Sequence, residues 1–340
     1  MKRIRFIPDT EPTKVVSALS ETIDWGQEFM GVSSYRKSAN TTGTGVKVAV
    51  LDTGIDPSHP DLRENLAGSI DFTGDSREIN GHGTHCAGII GARANGIGVV
   101  GVAPDCSLYS VRVLDSDGLC PGDFSWIING FEWCLENEMD IINLSLGSSA
   151  EPPKRLRELV LKAVNSGIII VAAAGNEGQK KLNWPARYDE VISVAALDKD
   201  GKIANFSNIG DGLKTAAPGC DIYSTWTNGE YAKESGTSMA SPFVAGILAL
   251  MLSYHRDGND HDTPFTNWTD AISHLNTFAQ PGAILTQNGD PLNIGLLNFG
   301  MAVAKRVEKY CEENAMFNGI PLWRIKIYKW AHTILRKIIL

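Results

Sequence analysis

Several protein classes are excluded by what this 340-residue chain lacks. Its six cysteines (86, 106, 120, 134, 220, 311) are dispersed, with no Cys-x-x-Cys and no paired spacing, so a disulfide framework is not implied and reduced thiols are expected. No stretch approaches the roughly 20 apolar residues that a bilayer span requires. The start, Met1-Lys-Arg-Ile-Arg-Phe-Ile-Pro8, is basic but has no apolar run of signal-peptide length, and acids follow at Asp9 and Glu11. Export by the usual route is therefore not expected, and a cytoplasmic location is. The net charge of −8 implies no broad basic surface, which argues against a nucleic-acid partner. Internal repeats and low-complexity segments are absent.

What is present points to one large globular domain with short extensions. Hydrophobic content of 43% and 34 glycines fit an enzyme with many tight turns. Val46-Lys-Val-Ala-Val-Leu51 is an apolar strand that stops at Asp52, and further β-rich runs follow at 107–114, 139–146, 168–174 and 191–197. Helical periodicity lies between them at 125–137 and 154–166, and a long apolar helix follows Ser238. Strands alternating with helices predict an α/β fold: three layers, with a mostly parallel sheet covered on both faces. Reactive residues gather at the carboxyl ends of such strands, where Asp52 falls.

Three local patterns carry chemistry: Val50-Leu-Asp-Thr-Gly-Ile-Asp56, Asn80-Gly-His-Gly-Thr-His-Cys-Ala-Gly88 and Ser235-Gly-Thr-Ser-Met-Ala-Ser-Pro242. An Asp ending a strand is usually a turn or cap residue, and a lone Ser at a helix start is usually an N-cap. Together, in glycine-flanked contexts, they supply what acyl transfer needs: the Ser238 hydroxyl as nucleophile, the His82 imidazole as base and the Asp52 carboxylate to orient it. A helix N-terminus at Ser238 also aims N–H groups at developing negative charge. A G-x-S-x-G esterase does not fit, because Gly236-Thr-Ser-Met-Ala240 lacks the second glycine. A catalytically dead peptide binder would usually have lost a member of the trio. His82-Gly-Thr-His85 lacks the glutamate and spacing of a zinc motif, so a catalytic zinc is not expected.

In the order Asp, His, Ser these motifs resemble the subtilisin family of serine proteases, over residues 21–255 and again at Asn293–Ala302. The resemblance implies a serine endopeptidase acting on protein or peptide substrates. Within Ala172-Ala-Ala-Gly-Asn-Glu-Gly178 it makes Asn176 an oxyanion donor beside the Ser238 N–H. It places one substrate-pairing edge at Ser145-Leu146-Gly147 and the other near Gly118. The P1 pocket is then lined by Ala173, Ala174 and Gly175, with Asn183 towards its base and Glu177 at its rim. Phe124, Ile127 and Leu146 form the P4 pocket, so large apolar residues are expected at both substrate positions. A structural Ca²⁺ is implied on Asp61 and Asn95, the carbonyls of Arg93, Ile97 and Val99, and Glu21. Cys86 resembles the free cysteine beneath the catalytic histidine in some relatives.

The bacterial intracellular branch is the most similar. There a short extension with an apolar-Ile-Pro-Tyr motif lies across the active site; Phe6-Ile7-Pro8 matches, while Asp9 replaces the tyrosine. Residues 1–20 are thus read as an inhibitory propeptide or a frayed terminus, 21–312 as the catalytic domain and 313–340 as a basic tail. On a helical wheel Pro321–Leu340 gathers Trp323, Ile327, Trp330 and Ile334 opposite Lys326, Lys329, Arg336 and Lys337. Two settings stay open for it: packing on the acidic body or a second copy in a homodimer, and peripheral contact with an anionic membrane.

Overall fold

The computed structural model describes residues 3–7, 13–15, 20–258 and 265–280, with short pieces between 284 and 321. Of the helix expected over 321–340 only Pro321 is described, paired as a strand residue with Met316, and 322–340 lie outside the described residues, as does most of 293–302.

Seven strands form a parallel sheet: β3 (Lys47–Asp52), β4 (Leu66–Asp71), β5 (Ser107–Arg112), β7 (Ile141–Leu144), β8 (Ile169–Ala173), β9 (Ile192–Leu197) and β10 (Thr215–Pro218). Their order is β10-β9-β8-β7-β3-β5-β4. The predicted strands are all there, two to four residues shorter where the expected runs were longest. In β3 the side chains alternate between two cores, as the two-residue period requires. Val48 and Val50 join the larger core with the helices α3 (Gly81–Gly91) and α6 (Thr237–Arg256). Ala49 and Leu51 join the other, with α4 (Ser125–Glu136) and α5 (Lys154–Asn165). Burying each Val or Leu among them contributes about 1.5–3 kcal/mol, which is why apolar character on both faces selects a covered central strand.

β3 pairs with β5 on one side and β7 on the other, and the chain fills the sheet outwards through β4 and β5 before crossing to β7. This switch point opens a crevice beyond the carboxyl ends of the two strands, at Asp52 and just before Ser145. Helix α6 corrects the sequence expectation about membrane spans: by length and composition it could cross a bilayer. Its side chains from Thr237 to Ser253 are buried, so its apolar length is core.

Besides the outer sheet strands β4 and β10, further elements were not expected from the sequence. Helices α1 (Trp25–Met30) and α2 (Val32–Ala39) precede β3, and Asp24 caps α1 by accepting Gly26 N at 2.7 Å. A hairpin of β11 (Ile222–Thr225) and β12 (Tyr231–Glu234) leads into α6. The N-terminal extension adds strands at two places: β1 (Arg3–Arg5) pairs antiparallel with β6 (Leu119–Pro121), and β2 (Thr13–Val15) pairs with β12. Helix α7 (Trp268–Thr277) follows α6 and is capped by Asn267.

Candidate active site

Asp52 ends β3 wholly buried, and His82 is the second residue of α3, whose first turn is capped by Asn80 Oδ1 accepting His82 N at 2.9 Å. Close approach of turn and helix depends on Gly83, where a Cβ would sit 2.3 Å from Gly54 O. The imidazole Nδ1 donates to Asp52 Oδ1 at 2.8 Å, and that oxygen also accepts Thr53 N at 2.7 Å. Nδ1 thus carries the proton, leaving Nε2 as the basic nitrogen. Burial acts to lower the His82 pKa, but the Asp52 carboxylate overrides it and raises the pKa well above 6.5.

Ser238 lies in the first turn of α6, and its Oγ donates to Ser145 O at 2.9 Å. Pro242 has no N–H for the Ser238 carbonyl four residues earlier. That carbonyl instead accepts Ser145 Oγ at 2.7 Å and Cys86 Sγ at 3.4 Å. Cys86 thereby braces the turn that carries Ser238, 4.0 Å from His82 Nδ1, and burial raises its pKa above 9.0, keeping it a thiol. Asn143 and Ser241 extend the brace: Asn143 donates to Ser145 Oγ and accepts from Ser241 Oγ.

Asn176 is oriented by a residue the motif reading passed over. Thr237 N and Oγ1 both donate to Asn176 Oδ1, at 2.8 and 2.9 Å. With its oxygen so engaged, the carboxamide presents Nδ2 as a donor. Thr237 Oγ1 also accepts Gly175 N at 3.1 Å.

A cavity of about 340 Å³ opens beside Ser238, walled by Gly147, Ala173, Gly175, Asn176, Glu177, Asn183 and Thr237. Gly175 has φ +111°, and a Cβ there would collide with the Asn183 and Asn208 amides. Ala174 lies behind this wall, wholly buried, its N–H on Val194 O. The Glu177 carboxylate accepts Asn183 Nδ2 at 3.0 Å and is held by Asn208 Nδ2 as well. Asn208 had no local sequence signal. Phe124, Ile127 and Leu146 are buried together at the neighbouring end of the cleft.

The N-terminal segment occupies this cleft. Phe6 N donates to Gly118 O at 3.1 Å and Gly147 N donates to Phe6 O at 2.9 Å, so one residue bridges the two edges. Phe6 meets Phe124 edge-on with ring centroids 5.1 Å apart, and Arg5, Phe6 and Ile7 complete the cavity wall. Pro8 and Asp9 lie outside the described residues.

Further away, Asp61 is wholly buried, and among the described residues no lysine or arginine pairs with it. It accepts Asn95 Nδ2, Val99 N and Tyr231 Oη, while Glu21 accepts Gly96 N at 2.8 Å across the same loop. Gly98 makes room: a Cβ there would lie 2.0 Å from an Asp61 oxygen. Buried carboxylate, amide oxygen and loop carbonyls fit a hard cation such as Ca²⁺. His85, by contrast, turns its Nε2 to the carbonyls of Ile222 and Ala232, away from His82's partner.

Residues 43–284, which hold all four catalytic candidates, match the subtilase family. The chain belongs to that family. Over 226 residues it is 49% identical to subtilisin NAT of Bacillus subtilis subsp. natto, covering 64% of this chain and 58% of the relative. It is 46% identical over 238 residues to a thermostable alkaline protease of Halalkalibacterium halodurans, covering 69% of this chain and 64% of the relative. An intracellular serine protease of Paenibacillus polymyxa is 47% identical over 234 residues, covering 64% of this chain and 71% of the relative. The subtilase match leaves the N-terminal extension outside it.

Proposed function

We propose that the chain is a serine endopeptidase whose triad is Asp52, His82 and Ser238. The observation that carries this is the buried Nδ1–Asp52 bond, which leaves His82 Nε2 basic, with Cys86 lying between His82 and the Ser238 carbonyl at the start of α6. In this mechanism His82 takes the Ser238 proton as Oγ attacks a peptide carbonyl. The oxyanion receives the Asn176 Nδ2–H and the Ser238 N–H, and His82 then passes its proton to the departing amine. Water repeats the cycle on the acyl-enzyme. The small wall at Ala173 and Gly175 suits a large apolar P1 side chain, and the Phe124 group suits one at P4.

Asp61, Asn95 and Glu21, with the carbonyls of Arg93, Ile97 and Val99, would hold a structural Ca²⁺, whose charge would offset the buried carboxylate. The extension is read as self-inhibitory, because it takes both hydrogen-bonding edges that a substrate strand would use. That arrangement and the likeness to an intracellular serine protease favour a cytoplasmic enzyme. Hydrolysis of casein by the full chain and by Ser238→Ala tests the reading. Loss of all activity in the variant, with an unchanged melting curve, supports it; retained activity refutes it.

A further inference from the structure

The strand that fills the cleft also displays a binding site for one kind of side chain. Arg3 forms an ion pair with Asp115, and its guanidinium lies over the Trp126 ring at 5.7 Å. Asp115 is no ordinary surface acid. Its side chain is fully buried at the end of the cleft, and Oδ1 is held by Asp117 N at 3.0 Å and Leu119 N at 2.9 Å. Those two bonds aim Oδ2 at Arg3. Among the described residues a second cation, Arg77, lies 3.9 Å away and is already paired with Asp75 and Asp117. A desolvated carboxylate facing an indole is a guanidinium site: the charge needs a cation, and the planar group can stack while it hydrogen-bonds.

The direction of the occupying strand makes this site relevant to substrates. β1 runs antiparallel to β6, with Arg3 opposite Pro121 and Arg5 opposite Leu119, and Phe6 then bridges Gly118 and Gly147. An extended peptide held on the same edge has the same spacing, three residues from the bridging position to the carboxylate. We infer that Asp115 and Trp126 form a distal subsite of the cleft that selects an arginine side chain in peptide substrates. With Phe6 standing where a P4 residue packs on Phe124, the selected position is P7. The inference rests on the proteolytic reading and deepens it. The chain's own Arg3 is the resident ligand, so its extension is held by the contact that recognises a substrate.

The test uses the full-length chain and peptides that share one cleaved bond and a P4 phenylalanine, with a single Arg, Lys or Ala placed in turn at P5 to P8. The ratio of kcat/KM between two peptides does not depend on how much of the enzyme has its cleft open, so blockage by the extension cancels. Arg should be favoured over Ala at P7 by about fivefold or more, since the pair is charge-assisted but half-exposed on the arginine side. Asp115→Asn should reduce that ratio to within about twofold of unity, and Trp126→Leu should narrow the gap between Arg and Lys. A flat profile, or an Arg preference that survives Asp115→Asn, overturns the subsite. If no peptide is cleaved and Ser238 takes no fluorophosphonate, the proteolytic reading fails instead. The site is then read in cis by amide exchange at Phe6. Faster exchange in both Arg3→Ala and Asp115→Asn, with no further gain in the double variant, upholds the site as an arginine-binding contact, though not as a substrate subsite, and unchanged exchange refutes it.

Discussion

His82 and His85 lie one turn apart on α3, both buried, and their surroundings push them in opposite directions. His82 faces the cleft, where the Asp52 carboxylate raises its pKa well above 6.5 despite burial. His85 faces the β11–β12 hairpin, where burial and the neighbouring His82 charge depress its pKa to about 3. Burial alone therefore depresses a histidine, and a buried carboxylate partner reverses the shift. The cleft side of α3 carries the residue proposed for proton transfer. The hairpin side is organised for cohesion: Ser224 and Thr225 hydroxyls donate to the His85 and Thr84 carbonyls at 2.8 and 2.7 Å.

If this division is correct, changes on the cleft side should reduce rate with little loss of stability, and changes on the hairpin side should do the reverse. The largest effect is expected for Ser238→Ala, a fall in kcat of about 10⁶-fold with the melting temperature nearly unchanged. Asp52→Asn should cost about 10⁴-fold, since the wrong tautomer then faces Ser238. Asn176→Leu should cost about 10²–10³-fold in kcat with KM little altered, because its donor acts on the oxyanion rather than on bound substrate. Each is checked by steady-state kinetics beside thermal melting. A large fall in melting temperature in any of the three would blur the comparison.

On the other side, His85→Ala removes the donor shared by two buried carbonyls and should destabilise the fold by about 1–3 kcal/mol in denaturant titration. Its pH–rate profile should keep its shape. The two histidines also make opposite demands on pH. His82, with its raised folded pKa, contributes stability that is full below 6.5 and lost as pH rises through the folded value. His85, with its depressed pKa, contributes stability above 6.5 that is lost as pH falls towards about 3. Because the base must be neutral, the rising limb of kcat/KM should lie above pH 6.5, a shift that Asp52→Asn should reverse. The smallest expected change concerns the proposed cation site beneath the hairpin, where Tyr231 Oη meets Asp61 at 3.0 Å. Removing Ca²⁺ with EGTA should lower the melting temperature by several degrees, and Asp61→Ala should abolish that response.

How much could be read beforehand followed local physics. β3 and β8 were visible because both of their faces are apolar, and α5 because Leu156, Leu159, Val160 and Ala163 share one face. The outer strand β4, Leu66-Ala-Gly-Ser-Ile-Asp71, was not: it alternates between half-buried and exposed residues and shifts register at Gly68. β1 is too short for its alternation to register, and its role comes from Leu119–Pro121, more than a hundred residues away. Asp52, His82, Asn176 and Ser238 stood out because each sits in a glycine-bearing motif. Thr237, Asn208 and Asp115 act through tertiary neighbours, and no spacing along the chain announces them.

The central claim is that Ser238 is a nucleophile activated by His82. Mass spectrometry after treatment with a fluorophosphonate tests it most directly. The account predicts a single adduct on Ser238 in the wild-type chain, and almost none in His82→Ala over the same time. An adduct on another serine, or equal labelling of Ser238 with and without His82, would contradict it.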